Sequence, residues 1–224
     1  MDLIAKAISF LGSRQEEDLR SVLGALNTMD WKQALVARGY GYHVDVGAFS
    51  TPITGGGAGT VLDQDQPEFI IEVPNGYTLV PLQFLVEVAP GVQTTDDHEA
   101  EILIAVAKDM VFDGVNPGTV EAMLNMRDLS ISNSGPLRAW SAFTANITNP
   151  TLDYELAHAL TRENFGDATG TELVRLTLDY RPQTPPFIVG PSLVIGYFGG
   201  DIAAVGFANL DMLCIPSAAI SELI

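Results

Sequence analysis

The chain has 224 residues, of which 28 are Asp or Glu and only 11 are Lys or Arg, giving a formal charge of −17 at pH 7. With 47% hydrophobic and 17% charged residues it is neither disordered nor fibrous. Its bases are scattered singly, Arg14 and Arg20 being the nearest to a cluster, so the basic stripe that neutralises nucleic-acid phosphates is missing.

Residues 1–38 read as helical. Asp2 is an N-cap, and Leu3, Ile4, Ala7, Ile8 and Leu11 recur on one face before Gly12-Ser13 punctuates the pattern. A second stretch carries Leu19, Val22, Leu23 and Leu26, with Gln15 to Asp18 in its acidic first turn. A third short turn over Asp30 to Ala37 carries Trp31 and Leu35, and Gly39 ends it as a C′ residue. These stripes predict an amphipathic arm, residues 1–39. Leu3, Ile4, Ile8, Leu11 and Trp31 are its candidate interface residues, docking on the parent domain or on a neighbouring subunit. An acidic polar face favours a protein partner over anionic lipid.

From Tyr40 the period becomes two. Tyr42, Val44 and Val46 alternate with His43 and Asp45; Leu82, Phe84, Val86 and Val88 share a face; Ile102, Ile104 and Val106 repeat the device. Further strands are expected at Glu68 to Val73, Asp128 to Ser132, Phe143 to Ile147, Leu152 to Leu156, Val174 to Tyr180, Ser192 to Phe198 and Val205 to Ile215. Turn signals separate them, among them Asn75-Gly76, Pro90-Gly91, Asn116-Pro117-Gly118 and Gly199-Gly200-Asp201, the last expected as the tip of a long apolar hairpin. The glycine-rich loop from Ser50 to Gln66 is expected to join arm to sandwich. No strand–helix–strand alternation is visible, so the prediction is a mainly β fold. It is an antiparallel sandwich of roughly eight to ten strands over residues 40–224.

At 24.0 kDa the area scaling gives a folded surface of about 10,000 Å² against roughly 35,000 Å² unfolded, enough burial for a core without staples. The mean hydropathy of +0.21 is high for a soluble monomer and predicts subunit interfaces. Cys214 is the single cysteine, set between Leu213 and Ile215 as a small buried hydrophobe. Lys6 interrupts the apolar start, and the longest apolar run, Phe187 to Gly200, is broken by Gly190, Pro191, Gly196 and Gly199. A soluble protein with neither signal peptide nor transmembrane segment is expected.

The chemistry-bearing residues match no catalytic pattern. Thr54 to Thr60 is glycine-rich but lacks the lysine a phosphate-binding loop requires. His43, His98 and His158 form no closely spaced pair, so a cupin-type metal centre has no signature. Asp96-Asp97-His98-Glu99 reads as a solvated turn between strands, and Asp63-Gln64-Asp65 as a fragment of a calcium loop without its glycine and distal glutamate. Gly190-Pro191-Ser192-Leu193-Val194 fails as a nucleophile elbow. Glu68 and Glu72 are expected on one wet strand face. No enzyme activity, metal or cofactor is expected.

Two runs carry a family resemblance. Pro67-Glu68-Phe69-Ile70-Ile71-Glu72-Val73-Pro74-Asn75-Gly76-Tyr77-Thr78-Leu79-Val80-Pro81-Leu82 looks like the first barrel strand and its exit turn. Ala203-Ala204-Val205-Gly206-Phe207-Ala208-Asn209-Leu210 looks like a small-residue-rich last strand. With the preceding arm, the pattern resembles single jelly-roll coat proteins of icosahedral viruses. The resemblance implies a capsid subunit located in the virion, with copies of itself and other capsid proteins as partners. Such proteins usually carry a basic arm where they touch genome. This arm has only Lys6, Arg14, Arg20, Lys32 and Arg38, so the inner face is expected to meet an inner protein layer or a viral membrane, as in the membrane-containing viruses of bacteria and archaea. A carbohydrate-binding or receptor-binding spike module is the alternative.

Overall fold

The computed structural model describes residues 30–55, 62–89, 97–112, 114, 118–131, 135–143, 146–148, 150–164, 175–200 and 204–221, the backbone alone being described at 97–99, 162–164, 200 and 221. Residues 1–29, which hold Leu3, Ile4, Ile8 and Leu11 and the first two predicted helices, lie outside the described residues. The third predicted turn is present as α1 (Trp31–Leu35), capped by the Asp30 carboxylate accepting from the Lys32 amide at 3.4 Å. A π turn, Val36–Tyr40, follows, and Gly39 at φ +87° reverses the chain as predicted.

Among the described residues thirteen strands follow: β1 (Gly41–Val46), β2 (Ile53–Thr54), β3 (Phe69–Val73), β4 (Tyr77–Ala89), β5 (Asp97–Lys108), β6 (Thr119–Val120), β7 (Met123–Asn125), β8 (Arg138–Ser141), β9 (Tyr154–Asn164), β10 (Leu176–Tyr180), β11 (Ile188–Val189), β12 (Ser192–Gly200) and β13 (Val205–Pro216). A short helix, α2 (Ser217–Ser221), ends the described chain. One sheet runs β10-β4-β13-β1-β7, with β11 on β4 and β2 on β13; the other runs β6-β8-β3-β12-β5-β9. Every ladder is antiparallel. The chain is therefore mainly β and folds as two antiparallel sheets in a sandwich.

Between the sheets lies the main core. Val44, Val46, Phe84, Val86, Ala208, Leu210, Met212 and Cys214 from the first sheet meet Phe69, Ile71, Ile102, Ile104, Val194 and Phe198 from the second. Gly196 lies opposite Phe69, and a Cβ there would sit 2.0 Å from the Phe69 ring, so the missing side chain is the space the ring occupies. Two outer layers cover the sheets' far sides. Loop residues Leu62, Met110, Phe112, Phe143 and Leu152 pack over Ile70, Leu193, Ile195 and Tyr197. Trp31, Leu35, Val36 and Ile220 pack over Val80, Leu213 and Ile215.

Several sequence expectations need correction. β12 and β13 pair in different sheets, so Gly199-Gly200 starts a crossover rather than a hairpin tip. Leu82 does not share a face with Phe84. Asp211 pairs with Gln83 and Met212 with Pro81, which leaves Leu82 as a bulge residue that turns outward beneath α1. Residues 128–131 belong to the turn after β7 and a single bridge between Leu124 and Ile131, not to a strand. Phe143 and Ile147 serve as loop cover, Ile147 being fixed by its amide donating to the Asp65 carbonyl at 2.8 Å. The loop after Ser50 follows β1, a sandwich strand, and so lies within the sandwich rather than before it.

Candidate functional site

The predicted chemistry-bearing residues scatter. Cys214 is buried in the core, and burial pushes its thiol up to about 12. Ser192 is buried and donates from Oγ to the Val189 carbonyl at 2.6 Å, which leaves no exposed nucleophile there. Asp97, His98 and Glu99 form the start of β5 rather than a turn between strands. In the glycine-rich loop, Thr54 closes β2 and Gly55 donates to the Ala204 carbonyl at 2.7 Å; residues 56–60 lie outside the described residues.

Glu68 departs furthest from expectation. It is 3% exposed rather than on a wet face, and its carboxylate accepts from the Phe198 amide at 2.6 Å. It ties the entry of β3 to β12. Tyr197, which donates to the Gln64 carbonyl at 3.2 Å, has its phenol held above the ordinary range by burial and by the charges of Glu68, Asp65 and Asp63. Among the described residues no group of three or more His, Cys, Asp or Glu side chains converges as a metal site.

Polar chemistry concentrates on the outer face of the first sheet. His43 Nδ1 lies 2.6 Å from Asp211 Oδ1 and its Nε2 lies 3.0 Å from Asp45 Oδ1; the Asn209 amide also donates to Asp45. The hydrogen bond with Asp211 raises the imidazole above its ordinary value, Asp45 adds to this, and burial opposes it. Beside this group, Arg181 Nε donates to Asp179 Oδ1 at 2.8 Å, Gln83 donates to the same oxygen at 3.1 Å, and Arg175 pairs with Glu87. With His43 protonated, three cations face four carboxylates. A chain with few bases has placed three of its basic groups where they offset most, though not all, of the acid charge of this group.

This face ends in a shallow cleft of about 380 Å³ walled by Phe49, Pro52, Val205 and Phe207, with the Glu87–Arg175 pair on its rim. Phe49 beside it is 80% exposed. On the second sheet, His158 sits between Glu101 and Glu155, the latter at 3.1 Å. Sequence reading placed His43 on a strand face but missed the carboxylate partners of both histidines. Asp211 lies 168 residues from His43, and only strand register brings it close.

Trp31 is partly buried against its own sandwich. Exposed apolar side chains occur elsewhere: Val120, Leu129 and Ile131 near the β6 and β7 edges, Tyr154 and Leu160 on edge strand β9, and Phe187 and Val189 around β11. Among the described residues no helix is long and apolar enough to cross a membrane.

A scan against models of known protein families finds no match, and a search of curated proteins finds none either. Among solved structures, similar chains include one from the full particle of Deformed Wing Virus. It is 9% identical, with 78% of this chain and 76% of that chain covered at a TM-score of 0.23. A likeness at that score carries no argument for fold or role.

Proposed function

We propose that the chain is a single jelly-roll capsid subunit, located in the virion, whose copies build an icosahedral shell alone or with a second coat protein. The observation that carries this reading is connectivity. Take the eight strands β1, β3, β4, β5, β9, β10, β12 and β13 in chain order. The first pairs with the last, the second with the seventh, the third with the sixth and the fourth with the fifth. Such nesting is what one long antiparallel hairpin produces when it rolls up into two facing sheets, the topology of a jelly roll. It leaves β10 and β9 at one side, where the next copy can be met.

Exposed apolar residues on edges and loops support the same reading, because a subunit enclosed on several sides buries such groups against its neighbours. In the sequence, outside the described residues, the helical spacing of Leu3, Ile4, Ile8 and Leu11 supports an arm that meets a neighbouring copy. Its three basic residues before Asp30, Lys6, Arg14 and Arg20, suit an inner protein layer or membrane better than packaged nucleic acid. Light scattering on purified full-length chain over a range of salt tests the proposal. Large particles of uniform mass are expected, and a monomer under every condition overturns it. The apolar, aromatic cleft at Phe49 and Phe207 favours a second reading, a glycan-binding module, which a glycan array would support by selective retention.

A further inference from the structure

Strand β10 is an edge: its one ladder partner among the described residues is β4. Edge strands are templates for another chain unless they are blocked. The residues here are Arg175, just before the strand, then Leu176, Thr177, Leu178 and Asp179. Leu176 and Leu178 face inward and pack on the core, while Thr177 and Asp179 are exposed. Neither a proline nor an inward-pointing charge protects the strand. Its charges instead stand on the outer face and are of opposite sign about Thr177.

We propose that β10 pairs with β10 of a second copy, antiparallel about a two-fold axis through Thr177, so that the sheet continues across two molecules. In that register Arg175 faces Asp179 of the second copy, Leu176 faces Leu178, and Thr177 faces its own counterpart; the two-fold then repeats both unlike pairs. Opposite charges, paired aliphatics and paired threonines are the favourable cross-strand combinations, and an interface related by a two-fold must be self-complementary in this way. Both charged groups retain room for a new partner: Arg175 and Asp179 side chains are 54% and 39% exposed while pairing with Glu87 and Arg181. The main-chain bonds are those of strand addition. Five residues of strand bury less than the roughly 1,600 Å² of a standard stable interface. Below the concentration at which shells form, the expected state is therefore a concentration-dependent equilibrium of monomer and dimer.

Cysteine trapping in the full-length chain reads the register directly. Paired residues in an antiparallel ladder are about 4.5–5.5 Å apart at Cα, within disulfide reach, and the native Cys214 is buried. Under mild oxidation T177C is expected to become mostly covalent dimer and D179C alone to form no covalent dimer, while D179C mixed with R175C cross-links. R175D sets carboxylates opposite each other and is expected to weaken association at least tenfold by sedimentation velocity, with R175D/D179R recovering it; thermal melts check that each variant folds. Equal cross-linking of T177C and D179C, or none in T177C, overturns the pairing. Uniform particles from T177C without a cross-link would overturn the pairing alone and leave the shell reading standing. Absence of any association overturns both.

Discussion

At Gly196 a missing side chain makes room for the ring of Phe69, its ladder partner in the same sheet. The Phe69 ring fills the space a Cβ would take, so Gly196→Ala must displace a fully buried ring. Overpacking of this kind costs about 1–3 kcal/mol, and a thermal melt is expected to show the lowered Tm; an unchanged Tm would refute the packing described. His43 makes a second residue-scale prediction. Its folded imidazole is raised above 6.5, chiefly by Asp211. The stability this contributes is full below the unfolded value and is lost as pH rises through the higher folded one. An NMR titration is expected to place the His43 midpoint above 6.5, and Asp211→Asn to lower it. A midpoint at or below 6.5 that ignores the substitution would contradict the account.

At the scale of elements, what the sequence disclosed depended on which strand faces are buried. β1, β10 and the first half of β13 have one face in the core, and their alternation is plain in Tyr42, Val44 and Val46 or in Leu176, Leu178 and Tyr180. β3 and β12 are covered on both faces, so Phe69-Ile70-Ile71 and Leu193-Val194-Ile195 read as unbroken apolar runs without a facing. β4 misled for another reason. Its period of two is interrupted by the Leu82 bulge, which turns Val80 and Leu82 toward α1 and Phe84, Val86 and Val88 toward the core. Deleting Leu82 removes that correction and forces one half of β4 onto the wrong face. Loss of near-ultraviolet circular dichroism and of a cooperative melt is expected; a melt like the parent's would show that the bulge is dispensable.

On the scale of the whole molecule, the sandwich was legible because turn signals and alternation are local. The pairing order was not, since it joins Gly41 to Leu213 and Phe69 to Gly196 across most of the chain. The ion-paired outer face was hidden for the same reason. Each of His43, Asp179 and Arg175 looks ordinary along the sequence, and register assembles them. The high mean hydropathy, the exposed apolar edges and the ion-paired face are what support the proposed contact with further copies.

Electron microscopy of the purified full-length chain, across protein and salt concentration, tests this most directly. The account predicts closed particles of one size whose wall is a single layer of these sandwiches. Isolated molecules throughout, with no closed particle at any concentration, would contradict it.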